Sequence, residues 1–350
     1  MNRPVSLRAY CGAAGYTLVE MLVATALTLM LMGAVVAMFG RVSEGITDSR
    51  SMLEAADRLR LAETRLQMDL TGVTVSLSNP WCRPENNLGY FEYIEGPKVG
   101  PVNVADDTGA AEPMTGDSDD VLMFTTRSTG RPFVGRSGTG TIQSDVAEVA
   151  WFVRGHKLYR RVLLVAPGAG VSGTDCDVSV NSLGDTPVAN TLGDLTKREC
   201  RFPITRIATF PFAVPGPLPT LSETNQTRFD DVILTNVIGF DVKYYDDTNT
   251  KTYSDLVAAP NSKSGLAAGV YSTWPTHYEY VDVPGLTNGP PGQAVNGFDD
   301  LNTGIVDSAA ELRTAPPYPY PLRGIQVKIR VFEPDSQQVR EVTVVQDFLP

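Results

Sequence analysis

The sequence predicts an α+β protein with one long N-terminal helix, transmembrane then amphipathic, packed on an antiparallel β-sheet head with long loop insertions. Three observations predict it. No charged residue occurs between Glu20 and Arg41, and only Thr25 and Thr28 in that run carry polar side chains. A stripe then continues through Ile46, Ser49, Leu53, Ala56, Leu59, Ala62, Leu66, Leu70 and Val73 in helical steps of three and four, apolar but for Ser49. Beyond it, 31 glycines and 25 prolines in the chain favour strands and loops over further helix, and two C-terminal segments alternate in polarity.

The apolar run is about as long as a helix needs, at ~1.5 Å per residue, to cross a ~30 Å hydrocarbon core. Before it lies a short leader with Arg3 and Arg8 and no acid. By the positive-inside rule the leader is cytoplasmic and the head lies beyond the inner membrane. The helix is expected from Tyr16 to about Thr74, with Gly33, Gly40, Gly45 and Gly72 not ending it and Asn79-Pro80-Trp81 stopping it. Glu20, a carboxylate at the top of a membrane helix, is costly unless it reaches the interface or finds a partner.

In the head, strands are expected at Val121–Thr126, Glu148–Arg154, Leu158–Val165, Val237–Tyr245, Gly324–Phe332 and Val339–Phe348. Gly155-His156-Lys157 reads as a three-residue hairpin turn, and Glu333-Pro334-Asp335-Ser336 as the turn of a second hairpin. Segments 82–118, 166–235 and 246–320 read as long irregular insertions.

The N-terminal stretch Gly15-Tyr16-Thr17-Leu18-Val19-Glu20 resembles the start of type IV pilins and of the pseudopilins of type II secretion. The resemblance implies a prepilin leader at 1–15, cleavage by prepilin peptidase between Gly15 and Tyr16, and methylation of the Tyr16 amine. It places Glu20 fifth in the mature chain, as the assembly glutamate. The family most often begins with phenylalanine, which Tyr16 replaces with another aromatic ring. The implied domains are 16–40 in the bilayer, 41–76 as the amphipathic half-helix and 77–350 as a periplasmic head. The strand segments resemble the heads of J-type minor pseudopilins and PilW-like minor pilins. The implied function is a minor pseudopilin, a structural subunit of a type II secretion pseudopilus. The alternative is a PilW-like minor pilin acting in pilus assembly, adhesion or tip binding. The implied partners are other pilins or pseudopilins in a filament, an inner-membrane assembly platform, and the lipid bilayer around the helix.

Formal net charge is −11, and loss of the leader with Arg3 and Arg8 takes it to −13, which argues against nucleic acid as a partner. After the leader, which contains Cys11, three cysteines remain. In an oxidising compartment Cys176 and Cys200 are the natural pair; Cys82 is then a free thiol or takes one of those two partners. No enzyme is expected. His156 and His277 lack neighbours at metal-ligand spacing, and neither a G-x-S-x-G nor a Walker loop occurs. No cofactor is expected. Asp299, Thr303 and Asp307 fall at ligand positions of a calcium-type loop around Gly304, but Leu301 occupies another such position. Two readings stand there, a calcium site and a solvated acidic turn. Asp117–Asp120 read as turn caps.

Overall fold

A computed structural model describes residues 15–78, 81–96, 102–105, 111–114, 117–118, 120–137, 140–167, 177–183, 186–201, 230–246, 251–256, 269–275, 318 and 320–348. The chain divides into two compact units, Met1–Leu53 and Glu54–Pro350.

The described part of the first unit is almost wholly the start of helix α1, Leu18–Thr71. Its apolar side chains are exposed from Leu18 through Phe39, and this helix is long and apolar enough to span a membrane. The two threonines of the run do not break it. Thr25 Oγ1 donates to the Met21 carbonyl at 3.0 Å and Thr28 Oγ1 to the Ala24 carbonyl at 2.7 Å. Each hydroxyl is therefore satisfied within the helix, as a group without access to water requires.

In the second unit, Ala55, Leu59, Ala62, Leu66 and Leu70 of α1 are buried at helical spacing. Burying three leucines contributes roughly 1.5–3 kcal/mol each. The helix ends at Thr71, earlier than expected, and Gly72 is the reason. A Cβ there would meet the Arg127 carbonyl oxygen at 2.2 Å, so only glycine lets the chain approach the neighbouring strand. Arg127 N then donates to the Gly72 carbonyl at 2.7 Å and Thr74 N to that of Thr125 at 3.1 Å. Backbone groups beyond the helix are paired with a strand, and the helix has stopped well before Asn79 is reached.

Two antiparallel sheets make up most of the head. We label their strands in chain order: β1 Phe91–Ile94, β2 Val121–Arg127, β3 Val146–Arg154, β4 Lys157–Leu164, β5 Asp230–Leu234, β6 Val237–Asp246, β7 Thr252–Ser254, β8 Val270–Ser272, β9 Gly324–Glu333 and β10 Gln338–Asp347. The larger sheet runs β5-β4-β3-β2-β1-β8 and the smaller β7-β6-β9-β10. Arg154 pairs with Lys157, so the β3–β4 turn has two residues rather than the expected three. Gly155 has φ +56° and His156 has no positive φ, the pattern of a II′ turn. The β9–β10 hairpin keeps one unbroken register from Gly324↔Asp347 to Glu333↔Gln338.

The expected irregular insertions are corrected most. Segment 82–118 supplies β1, segment 166–235 supplies β5, and segment 246–320 supplies β7 and β8. Three of the six strands of the larger sheet therefore come from stretches read as loops. Hairpins Val102–Ala105 with Ala111–Met114 and Val180–Leu183 with Thr186–Ala189 lie in the same segments.

One core joins α1 (Leu59, Leu66), the inner face of the larger sheet (Phe91, Phe124, Trp151) and the smaller sheet (Phe240, Ile329). A second core lies on the other face of the larger sheet, where Leu192 and Leu195 of the short helix α2, Leu192–Leu195, cover Tyr90, Met123 and Phe152. Both faces of β3 are thus buried, which is why its sequence is near-continuously apolar instead of alternating.

Candidate functional site

The N-terminal end of α1 is built by a reciprocal cap. Thr17 precedes the first helical residue. Its Oγ1 accepts from Glu20 N at 3.2 Å, while Glu20 Oε2 accepts from Thr17 N at 2.9 Å and from Thr17 Oγ1 at 3.0 Å. This is a capping box, and its carboxylate also meets the positive end of the helix dipole. The T-x-x-E spacing of Thr17 and Glu20 is the sequence signal of this cap. The Glu20 bonds all use Oε2, and Oε1 makes none with a described residue.

Just before the cap, Tyr16 is 83% exposed. A Cβ added to Gly15 would meet nothing within 4 Å. The fold itself places no demand for glycine there. Gly15, Tyr16 and Glu20 therefore stand together on an end that is exposed among the described residues.

The head's buried charges are the part the sequence did not reveal. On α1, Asp69 is buried and both its oxygens are used. Arg160 donates from Nε and Nη2 at 2.7 Å each, and Trp151 Nε1 donates at 3.0 Å. Trp151 and Arg160 are directly opposite one another on β3 and β4, so one cross-strand pair grips one helical carboxylate.

On the other face, Glu92 of β1 accepts from Arg198 Nη2 at 2.5 Å and Arg201 Nη1 at 2.8 Å. Burial pushes the Glu92 carboxyl up, but the two guanidiniums overcome it and hold it below its ordinary value. Arg201 also donates to the carbonyls of Leu195 and Thr196, and its guanidinium lies 4.1 Å from the Tyr90 ring centroid. A third set joins Asp230 to Arg154 Nη1 at 3.0 Å and Arg161 Nε at 2.5 Å. These groups hold elements of the head together.

One acidic cluster differs from the turn caps expected of Asp117–Asp120. Glu95, Asp117 and Asp120 bring carboxylate oxygens within 4.8 Å of one another. Asp120 is fully buried and accepts from Gly96 N at 3.2 Å and Val242 N at 2.6 Å. Glu95 Oε2 accepts from the Tyr93 hydroxyl and Leu256 N, while Glu95 Oε1 and Asp117 Oδ1 are buried without a hydrogen-bond partner among described residues. Burial is the main cause that raises the Glu95 carboxyl to about 7. Burial and the Glu95 charge push Asp120 well above its ordinary range. The three carboxylates crowd one another, and burial favours the protonated forms of Glu95 and Asp120.

Cys82 is a buried free thiol, and burial pushes its pKa up to about 11. That removes it from ready thiolate chemistry at neutral pH. Cys200 ends a short 3₁₀ turn, Arg198–Cys200, but Cys176 lies outside the described residues. So do residues 1–14, His277 and the calcium candidates Asp299, Thr303 and Asp307. His156 is exposed in the β3–β4 turn, in keeping with a solvated turn residue. No protein-family model matches the chain, and no curated protein matches it.

Proposed function

We propose that this chain is a minor pseudopilin, a structural subunit of a type II secretion pseudopilus. Prepilin peptidase cuts it between Gly15 and Tyr16, methylates the Tyr16 amine, and α1 carries it from the inner membrane into a periplasmic filament. The observation that carries the reading is the end of α1: an accessible Gly15-Tyr16 joint, then a capped Glu20, then an exposed apolar helix. Because Gly15 meets no steric limit in the fold, a requirement for glycine there would come from an enzyme that reads it.

In this reading Glu20 has two tasks. Oε2 closes its own helix through Thr17, and Oε1 receives the Tyr16 amine of an adjacent subunit. A carboxylate within lipid is expensive, and pairing with an amine recovers much of that cost while fixing the register between subunits. The head is a structural body with no catalytic role and no cofactor. The alternative, a PilW-like minor pilin, draws on the insertions, whose described parts add strands and their own buried ion pairs to the head. Neighbouring genes, for secretion or for pilus components, distinguish the two.

The test is Glu20→Ala. Membrane insertion and cleavage at Gly15 are expected to persist, while in-vivo crosslinks to filament partners fall by at least about tenfold, the equivalent of ~1.4 kcal/mol or more. A variant that crosslinks and supports secretion like the wild type would overturn the role given to Glu20.

A further inference from the structure

A cleft of about 470 Å³ opens in the head between the last turns of α1, the Ser128–Val134 segment after β2, and β4. Three guanidiniums line it, those of Arg65, Arg131 and Arg160, against the carboxylates of Asp69 and Asp231. Asp69 is already committed: both its oxygens are held by Arg160 and Trp151. Arg65 and Arg131 make no side-chain hydrogen bond or ion pair with a described residue, and Asp231 is left to offset two charges. Partial burial and the nearby Arg160 charge lower the Arg65 pKa, and the charges of Asp69 and Asp231 offset them only in part. The cleft is thus locally cationic in a chain of net charge −11.

Its walls are not polar throughout. Met68, Phe133, Val134 and Val162 line it as well, with Met68 and Val134 exposed. Guanidinium forks match carboxylates in geometry, and a space this size admits more than a bare anion. We propose that the cleft is a docking site for an acidic peptide segment of a partner protein. One carboxylate of that segment lies between Arg65 and Arg131, and flanking apolar side chains rest on Met68 and Val134. Such docking would act whether or not the chain is a filament subunit.

The test is calorimetric titration of the full chain in neutral detergent micelles. The probe is a short acetylated, amidated peptide with one glutamate between two leucines, compared with the same peptide carrying glutamine. The glutamate peptide is expected to bind at least about tenfold more tightly, an advantage that shrinks as salt rises. Arg65→Gln and Arg131→Gln should each abolish most of that preference without moving the melting temperature, since both side chains are at the surface. Arg65→Lys should keep part of it. Equal binding of the two peptides, no binding at millimolar concentration, or an unchanged preference in both glutamine variants would overturn the proposal. So would inorganic phosphate binding as tightly as the glutamate peptide, which would make the cleft a site for free anions.

Discussion

Glu95 gives the head a pH dependence whose sign follows from its surroundings. Around it are the Tyr93 hydroxyl, Asp117, Asp120 and Asp255, with Lys243 paired to Asp255 and Asp241. Its folded pKa of about 7 is above the ordinary carboxyl value, so the folded state favours the protonated form. That stability is fully present below the unfolded pKa and is lost as pH rises through about 7. A full shift of this size would be worth ~3 kcal/mol, and partial solvent access reduces it to about 1–2 kcal/mol. The melting temperature should therefore fall between pH 5 and pH 8, and Glu95→Gln should remove part of the fall. An identical pH profile in the variant would contradict this assignment. At this scale Glu20 was legible because its setting is local: an apolar run on one side and Tyr16 four residues before. Asp120 was not, since its donors Gly96 and Val242 are far away in sequence.

Among the elements, the final turns of α1 depend on Asp69 more than on the helix's surface charges. Asp69→Ala would leave Arg160 buried without its carboxylate and Trp151 Nε1 without an acceptor. Deleting one partner of a buried pair costs about 3–5 kcal/mol. Glu54→Ala, which removes one half of an exposed i,i+4 pair with Arg58, should cost under ~1 kcal/mol. Chemical denaturation of the two variants separates these cases, and equal losses would show that the Asp69 network is not stabilising. The long helix and the β3–β4 and β9–β10 hairpins could be read from periodicity and turn composition. Strands β1 and β5 could not, for a physical reason. β1 carries Glu92 between Phe91 and Tyr93, and that charge is tolerated only because Arg198 and Arg201 cover it. β5 opens with Asp230 and Asp231, and Asp230 is neutralised by Arg154 and Arg161. Pattern reading treats such charges as loop because their partners lie tens of residues away. Gly72 misled for a similar reason, since the strand that demands its missing Cβ is distant in sequence.

As a whole, the molecule pairs a head that buries its own core with a helical half whose apolar side chains remain uncovered. An uninterrupted apolar surface of that extent requires lipid or other protein around it. In the function we propose, processing at its end would make the helix a filament element instead of a plain anchor. The direct measurement is mass spectrometry of the N-terminal peptide of the chain expressed with its native secretion or pilus machinery. The expected species begins at Tyr16 and is heavier by one methyl group on its amine, and a prepilin-peptidase deletion should return it to the uncut form. A mature chain that still carries residues 1–15 in the presence of the peptidase, or begins anywhere other than Tyr16, would contradict the account.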